Sequence, residues 1–223
     1  MASKAEPAER RATALSKQRI VEAAIELLDA GGEAALTFRA LAAVLETGSG
    51  AIYWHVADKG DLLAAAADFI IAGVMREIVG GSEPREAIRG LALGVFDAID
   101  AHPWVSAQLH REPWRMAMLQ IFESVGARLQ ALGAPKRAQF DAASALVGYI
   151  LGAAGQNAAN ARLAPPDMDR SAFLANLAAK WTQHDPAAFP FVHQIAQELS
   201  AHDDRAQFLA GIDLILAGVE TLR

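Results

Sequence analysis

The fold of this chain is decided by residues 36–63, which read LTFRALAAVLETGSGAIYWHVADKGDLL. Thr37 has a side chain that can cap a short helix, and Asp58 can cap a longer one. Between them, residues 47–50 read TGSG, a segment too short for anything but a turn. We expect a second short helix over residues 51–56. The stretch therefore predicts three consecutive helices with a tight turn between the first two.

The residues before this stretch add one more helix. Ser16 can cap a helix that runs to about residue 30, and Gly31 and Gly32 end it, because glycine adopts the left-handed conformation at a helix C-terminus without penalty. Ile52 and Val56 lie four residues apart and are expected to pack inward. Together with the next two short helices, this first helix gives three short helices with a glycine-containing turn before the third, which is the helix over residues 51–56. This arrangement follows the helix-turn-helix plan, in which the third helix enters a DNA major groove.

The remainder of the chain also has a helical pattern. Alanine and leucine dominate, and no alternation of apolar and polar residues extends beyond a few positions, which predicts an all-α fold. Proline and glycine positions predict helices at roughly 59–79, 84–101, 103–110, 113–132, 135–162, 171–182, 186–199 and 204–222. We divide the chain into a disordered basic arm (1–15), a helix-turn-helix DNA-binding domain (16–67) and a larger helical domain (68–223). The helix over 59–79 is expected to connect the two domains rigidly.

Composition excludes several classes of protein. A hydrophobic fraction of 53% excludes a wholly disordered chain, and the absence of cysteine excludes disulfides, thiolate metal sites and cysteine nucleophiles. The formal charge is −6, yet residues 1–20 carry five basic and two acidic side chains, which leaves −9 for the rest. A basic arm indicates an anionic partner, with a solubilising leader as the alternative. No secretory signal or apolar run of ~20 residues is present, so we expect a cytoplasmic protein without membrane contact.

Two ordered elements carry a resemblance to a known family. They are Leu36-Thr37-x-Arg39-x-Leu41-Ala42 and, after the turn, Ile52-Tyr53-Trp54-His55-Val56-x-x-Lys59-x-x-Leu62-Leu63. Over about residues 16–67 they resemble the DNA-binding domain of the tetracycline-repressor (TetR) family of transcriptional regulators. The Tyr-Trp-His-Val version is most similar to the tetracycline repressors themselves.

The resemblance implies a homodimeric repressor that binds a palindromic operator in double-stranded DNA and is released by a small molecule. By position it implies base contacts at Arg39, Ser49, Gly50 and Ala51, phosphate contacts at Thr37, Tyr53, His55 and Lys59, and a partly packed, partly DNA-contacting Trp54. Glycine and alanine at positions 50 and 51 offer no side-chain hydrogen bonds. Direct readout is therefore expected to depend on Arg39, Ser49 and methyl contacts.

The larger domain is implied to dimerise and to bind the small molecule. Small residues recur on the helix over 135–162 at Ala145, Gly148, Gly152 and Gly155, and the last helix has an apolar stripe at Phe208, Ile212, Ile215, Leu216 and Val219. Two such helices from each chain predict a four-helix dimer interface. The alternative is that both stripes belong to the core of a single chain.

Polar groups among aromatic residues are typical of a ligand site. The candidates are His102, Trp104, Gln108, His110 and Trp114, together with Tyr149, Gln156 and Asn160 and the neighbouring Phe96 and Phe122. The drug-binding subgroup holds a tetracycline–magnesium chelate through a histidine and a glutamate. The glutamate's position here falls in Gly155-Gln156-Asn157, and the histidine's falls near Ala107 or Gln108. Because amides are poor magnesium ligands beside carboxylates, we predict neither tetracycline as the inducer nor any metal or cofactor.

Two other functions compete with DNA binding. The chain has no Gly-x-Ser-x-Gly, Gly-x-Gly-x-x-Gly, phosphate-loop or His-Glu-x-x-His motif, and His184, His193 and His202 recur at a spacing that places successive members on opposite helix faces, so an enzyme is disfavoured. The second competing function is that of a helical interaction module with a degenerate DNA-binding domain. Burial of Arg39 or Tyr53 would favour that module, and their exposure would favour DNA binding.

Overall fold

The computed structural model describes residues 15–78, 83–163 and 169–222. Within these ranges every regular secondary-structure element is a helix, which confirms the predicted all-α fold. The arm predicted to be disordered, residues 1–15, lies outside the described residues except for Leu15.

The helices are numbered here in chain order. They are α1 (Lys17–Ala35), α2 (Phe38–Val44), α3 (Ser49–Tyr53), α4 (Lys59–Glu77), α5 (Pro84–Ala101), α6 (Trp104–Arg111), α7 (Met116–Ala131), α8 (Gln139–Ala161), α9 (Arg170–Trp181), α10 (Pro190–Ala196) and α11 (Asp204–Glu220). Two 3-10 turns, Lys136–Ala138 and Leu199–Ala201, precede α8 and α11.

Polar side chains begin the N-terminal helices where the sequence predicts. The side-chain oxygens of Ser16, Thr37 and Asp58 each accept a hydrogen bond from the backbone N–H three residues later, at 3.3, 3.0 and 2.9 Å. Each bond satisfies a donor that has no partner within its helix. These caps set the starting points of α1, α2 and α4, and thereby the positions of the turns between them.

Two glycines interrupt α1 near its end. Gly31 and Gly32 have non-helical backbone angles, and Gly32 has a φ of 65°, which favours glycine. A Cβ atom at Gly31 would lie 2.7 Å from the Cβ of Ala35. The regular helix therefore ends near residue 30, as predicted, and a further helical turn continues to Ala35.

The third helix differs from its predicted bounds. It begins at Ser49, two residues early, and ends at Tyr53 rather than at Val56. Ile52 and Val56 are nevertheless buried, as predicted, and belong to the same hydrophobic core as Ile20 and Leu41. Ile52 therefore attaches the helix to the core, whereas the other residues of the helix lie towards solvent.

The larger domain is organised around α8, which packs against α5, α7 and α11. Leu146, Ile150 and Ala154 recur every four residues on its buried face. Helix α4 contacts α1 on one side and α5, α6 and α7 on the other. It therefore belongs to the packing of both domains, as expected of a rigid connection.

Turns shorten three of the predicted helices. The helix predicted over 186–199 is confined to α10 and the 3-10 turn after it, because Asp185 accepts hydrogen bonds from the backbone N–H groups of residues 187–189 and holds them in a turn. A turn likewise delays α7 to Met116, and the first of the two 3-10 turns delays α8 to Gln139.

A cluster of charged side chains attaches α11 to α5. Arg85 donates to Asp213 and to Glu220 at 3.2 Å, and Arg89 donates to the other oxygen of Asp213. The hydrogen bond from Arg89 and the positive charges of both arginines hold the pKa of the Asp213 carboxyl below its usual range.

Asp213→Asn tests this attachment. Because the folded-state pKa of Asp213 is lowered, its carboxylate adds stability at neutral pH, and that stability is lost as the pH falls through the lowered pKa. The side chain is 37% exposed, so solvent screening limits the loss on substitution to about 1 kcal/mol. Urea denaturation should show this difference at about pH 7 and a smaller one at about pH 3. Glu123→Gln, an exposed site on α7, is the control, and a pH-independent difference for Asp213→Asn would contradict the account.

Candidate nucleic-acid interface

The residues predicted to contact DNA lie on α2, α3 and the start of α4. All nine are exposed or partly exposed, and we call them the reading surface: Thr37, Arg39, Ser49, Gly50, Ala51, Tyr53, Trp54, His55 and Lys59. Arg39 is exposed and Tyr53 is 55% exposed. Their exposure is the outcome that favours DNA binding over a degenerate interaction module.

The start of α3 presents little side-chain bulk. Its N-cap, Gly48, makes no side-chain capping bond, and Gly50 is exposed. A Cβ atom at Gly50 would meet nothing within 4 Å. Packing within the chain therefore does not require glycine at this position, and the space above it is open to a partner.

Tyr53 is positioned by a residue that the sequence analysis did not select. Its ring stacks on Phe38, with ring centroids 4.4 Å apart and an interplanar angle of 9°. Phe38 is half-buried and lies between Thr37 and Arg39 on α2. The stack fixes Tyr53 relative to Arg39, so the two side chains act from one rigid surface. The sequence signal that could have identified Phe38 is its aromatic side chain inside the Leu-Thr-x-Arg element.

Trp54 is 89% exposed and follows α3 directly. The partial packing implied by the resemblance is therefore wrong for the free protein. A large apolar ring left in solvent forgoes the stabilisation that burial would give. This exposure is consistent with a contact that forms only in a complex.

Two polar residues of the reading surface already have partners within the chain. The Thr37 hydroxyl accepts from the N–H of Ala40, which leaves its own proton for an outward donor bond. The ammonium group of Lys59 donates to the backbone oxygen of Glu33 and retains two further donors. Both side chains are therefore held in place and can still contact a phosphate oxygen.

Two family descriptions match this chain. Residues 20–66 match "Bacterial regulatory proteins, tetR family", and residues 81–223 match "Tetracyclin repressor-like, C-terminal domain". The chain belongs to the TetR family. The reading surface accordingly lies on a DNA-binding helix-turn-helix domain, and the family is one of transcriptional regulators rather than enzymes.

Individual TetR-family proteins are similar over almost the whole chain. The structure of SCO7222, a TetR from Streptomyces coelicolor, has 48% identity and a TM-score of 0.85, covering 94% of this chain and 99% of that one. An HTH-type transcriptional regulator of Saccharopolyspora erythraea is 30% identical over 208 residues, covering 92% of this chain and 87% of that protein. The HTH-type transcriptional repressor DrrR1 of Streptomyces coeruleorubidus is 26% identical over 222 residues, covering 93% and 78%.

The two domains meet at a set of polar contacts that we call the interdomain contact. Asp29 on α1 lies 2.8 Å from Nδ1 of His102 and accepts a 2.8 Å hydrogen bond from Nε1 of Trp104. Glu33 accepts a 2.6 Å hydrogen bond from Nε2 of Gln108 on α6. These short, directional bonds fix α6 against the end of α1.

Three of the predicted ligand residues take part in this contact. His102, Trp104 and Gln108 point their polar atoms at α1. His110 lies 2.7 Å from a backbone oxygen of its own helix, and Trp114 is 69% exposed. Polar groups among aromatic residues are typical of a domain boundary as well as of a ligand site, and a role of these residues in ligand binding stays a prediction.

The other three candidates do share a space. Tyr149, Gln156 and Asn160 line a cavity of about 500 Å³ between α5, α8 and α11, which we call the aromatic cavity. The Tyr149 ring stacks on Phe208 at 5.7 Å, and its hydroxyl donates to the backbone oxygen of Phe208 at 3.2 Å. Burial raises the pKa of Tyr149. The hydroxyl is therefore a neutral donor at physiological pH.

The apolar stripe predicted for dimerisation on the last helix is wrong, because this stripe faces the core of its own chain. Its members are core residues or pack against the core of this chain: Phe208, Ile212, Ile215, Leu216 and Val219. The exposed face of α11 instead presents Ala210, Leu214, Ala217 and Gly218. On α8, Ala145, Gly148 and Gly152 are exposed as expected. Gly155 is not on that face, because a Cβ there would lie 2.6 Å from Oγ of Ser106.

Among the residues that the structure describes, none of the helices combines the length and apolarity needed to cross a membrane. The same residues bring together no group of three or more histidine, aspartate or glutamate side chains able to hold a metal ion.

Gly50→Ala separates folding from DNA binding. The added methyl group meets open space and improves helix propensity, so stability should rise by roughly 0.5–1 kcal/mol. The same methyl group would stand between α3 and a base edge, so affinity for DNA should fall. Thermal unfolding and a DNA titration measure the two effects.

Gly211→Ala is the matched control. Its Cβ would lie 2.0 Å from the Tyr149 hydroxyl, so the same substitution should lower stability there by roughly 1–3 kcal/mol. A destabilised Gly50→Ala protein would show that the fold, and not a partner, requires that glycine.

Proposed function

We propose that this protein is a dimeric, ligand-responsive repressor that binds a palindromic operator and is released from it by a small molecule. The observation that carries the proposal is the exposure of Arg39, Tyr53 and Trp54 on a helix-turn-helix domain. The stack on Phe38 holds the Tyr53 ring in place. The domains we assign to these roles are residues 16–67 for DNA binding and 68–223 for ligand binding and dimerisation.

Each group of the reading surface has a separate role. Arg39 reads a base edge, because its guanidinium can form a bidentate contact with guanine. Ser49, Gly50 and Ala51 bring the backbone of α3 close to the bases. Thr37, Tyr53, His55 and Lys59 bind phosphate oxygens, and Trp54 packs on the DNA backbone. Phosphate contacts fix orientation while base contacts supply sequence preference.

Dimerisation joins the exposed faces of α8 and α11. Gly148 and Gly152 allow a second helix to approach closely, and Leu214, which is 76% exposed, supplies apolar area. Two α8–α11 pairs related by a two-fold axis form a four-helix interface. The two reading surfaces would then face successive major grooves, about 34–36 Å or a multiple of that apart.

Release follows from linkage between the domains. Helix α4 packs in both domains, and the interdomain contact ties α6 to α1. A ligand that binds better to a different arrangement of the larger domain lowers operator affinity by the ratio of its affinities for the two arrangements. No cofactor or metal is needed for this step.

Selection of bound duplexes from a random DNA pool tests the proposal. The wild-type protein should enrich a palindrome. Arg39→Ala should weaken binding by about 5- to 150-fold, the equivalent of roughly 1–3 kcal/mol for a base contact, and relax the sequence at one position in each half-site. Tyr53→Phe should weaken binding to all sequences alike.

Arg137→Ala, which removes an exposed arginine from the larger domain, is the control and should bind as the wild type does. No enrichment at low salt, where phosphate contacts are strongest, would contradict DNA binding and favour the interaction module.

A further inference from the structure

A groove of about 590 Å³ lies between α4 and α7. Its apolar wall is formed by Met75 of α4 and by Met116, Leu119 and Ala127 of α7, and we call it the methionine groove. Met116 and Leu119 are 56% and 52% exposed, so this apolar wall is open to solvent. Among the described residues that line it, none belongs to α8 or α11, the helices that we assign to dimerisation, and none is shared with the aromatic cavity.

A row of polar side chains runs along the same groove. Gln120, Ser124 and Arg128 recur every four residues on α7, so they lie one after another along one side of the helix. All three are half-buried. The groove therefore combines an apolar wall with a polar edge, an arrangement that fits an amphipathic molecule.

Two buried polar atoms of this row have no hydrogen-bond partner. They are Oε1 of Gln120 and Nε of Arg128, and among the described residues that are not exposed, no other buried side-chain nitrogen or oxygen lacks a partner. An unpaired buried polar atom is destabilising, and native structures contain few of them. Because both atoms belong to residues that line one groove, a single ligand can supply both missing partners.

The guanidinium group of Arg128 is oriented for an anion. Its Nη1 donates to the backbone oxygen and to Oγ of Ser124, at 3.0 and 3.1 Å, and these bonds hold the side chain along α7. None of the ion pairs among the described residues includes Arg128 or Glu123, the exposed carboxylate that also lines the groove. Nε and Nη2 share the remaining edge of the planar group, which matches the two oxygens of a carboxylate.

The amide of Gln120 sets a second requirement, at a defined distance. Its Oε1 accepts a hydrogen bond from an N–H or O–H group. Arg128 follows Gln120 by eight residues, which is about 12 Å along the helix axis. Ser124 lies midway, and its Oγ is 3.5 Å from Sδ of Met75. The two polar positions are therefore separated by a stretch of groove with an apolar wall.

We infer that the methionine groove binds an elongated amphipathic carboxylate that carries a hydroxyl or amide donor at its other end. The carboxylate pairs with Arg128, the donor binds Oε1 of Gln120, and the apolar middle packs on Met75 and Leu119. Both polar atoms are shielded from solvent, so neighbouring side chains move on binding, and unbranched methionines are suited to such movement. This inference rests on the proposed ligand-responsive function and adds a site and a chemical class for the effector.

The groove lies along the helix that connects the two domains. Met75 belongs to α4, which also packs against α1 in the DNA-binding domain. Ser124 contacts both Arg128 and Met75, so a carboxylate that draws Arg128 away from Ser124 changes a contact between α7 and α4. Ligand binding therefore acts on the helix through which the larger domain orients the reading surface.

Three probes with the same ten-carbon chain test the two polar requirements. They are 10-hydroxydecanoate, which has both end groups, decanoate, which lacks the donor, and 1,10-decanediol, which lacks the carboxylate. Calorimetric titration of DNA-free, full-length protein should show 10-hydroxydecanoate binding about three- to tenfold more tightly than decanoate and at least about tenfold more tightly than 1,10-decanediol. Equal affinities for the three probes, or no detectable binding of any of them, would overturn the inference.

Substitutions locate the site. Arg128→Gln should weaken both carboxylates by at least about tenfold and leave 1,10-decanediol unchanged. Arg76→Gln is the matched control, because Arg76 is an exposed arginine next to Met75 that does not line the groove. Identical effects of the two substitutions would show that general electrostatic attraction binds the probes, and would overturn the inference.

Gln120→Met tests the second polar position without loss of the fold. It replaces an unpaired buried oxygen by an apolar group of similar shape, so thermal unfolding should show unchanged or higher stability. The same variant should bind 10-hydroxydecanoate and decanoate equally. A preference for 10-hydroxydecanoate that survives in Gln120→Met would place its hydroxyl group elsewhere and contradict the assignment.

The probe titrations and the operator selection can fail separately. With the selected operator, saturating 10-hydroxydecanoate should weaken DNA binding by the wild type and not by Arg128→Gln, and unchanged operator affinity in the wild type would overturn the role of the groove as an effector site. A protein that enriches an operator but does not discriminate among the probes retains the proposed function and loses this inference. A protein that enriches no operator loses the proposed function, whatever the probes show.

Discussion

The carboxylate of Asp29 is the contact on which the orientation of the reading surface depends. It binds the side chains of His102 and Trp104, so one residue of α1 holds both the end of α5 and the start of α6. Glu33, one turn further along α1, adds a third bond by accepting from Gln108. Hydrogen bonds to a charged group contribute about 1.5–3 kcal/mol each, and their directionality restricts rotation in a way that apolar packing does not.

This contact works together with α4. The helix packs against α1 in the DNA-binding domain and against α5, α6 and α7 in the larger domain. Its Asp68 also accepts a 2.8 Å hydrogen bond from the first turn of α7. Two connections between two bodies determine their relative orientation, whereas one would leave a hinge. A change of orientation would therefore require rearrangement of the interdomain contact.

The sequence predicted those features that depend on neighbouring residues. The caps at Ser16, Thr37 and Asp58 and the glycine break in α1 involve partners within a few positions. The ordered motif predicted the residues of the reading surface, and their exposure agrees with that prediction. The interdomain contact was missed because Asp29 and His102 are 73 residues apart in the sequence, and no local sequence pattern predicts a contact between such distant residues. The phase of α11 was missed for another reason. Both of its faces carry apolar residues, so periodicity alone does not show whether Phe208 or Leu214 faces the core. The exposure of Trp54 also follows from tertiary packing and not from residue type.

The distance between the two domains is the most direct measure of whether the interdomain contact sets their orientation. The chain has no cysteine, so Ala43→Cys on α2 and Gln130→Cys on α7, both exposed, can carry spin labels alone. Pulsed dipolar spectroscopy on doubly labelled protein, diluted with unlabelled protein, then reports the distance within one chain. The account predicts a narrow distance distribution for the wild type and a broad or shifted one for Asp29→Asn. An unchanged distribution in Asp29→Asn would show that the reading surface is oriented by apolar packing alone, and would contradict the account.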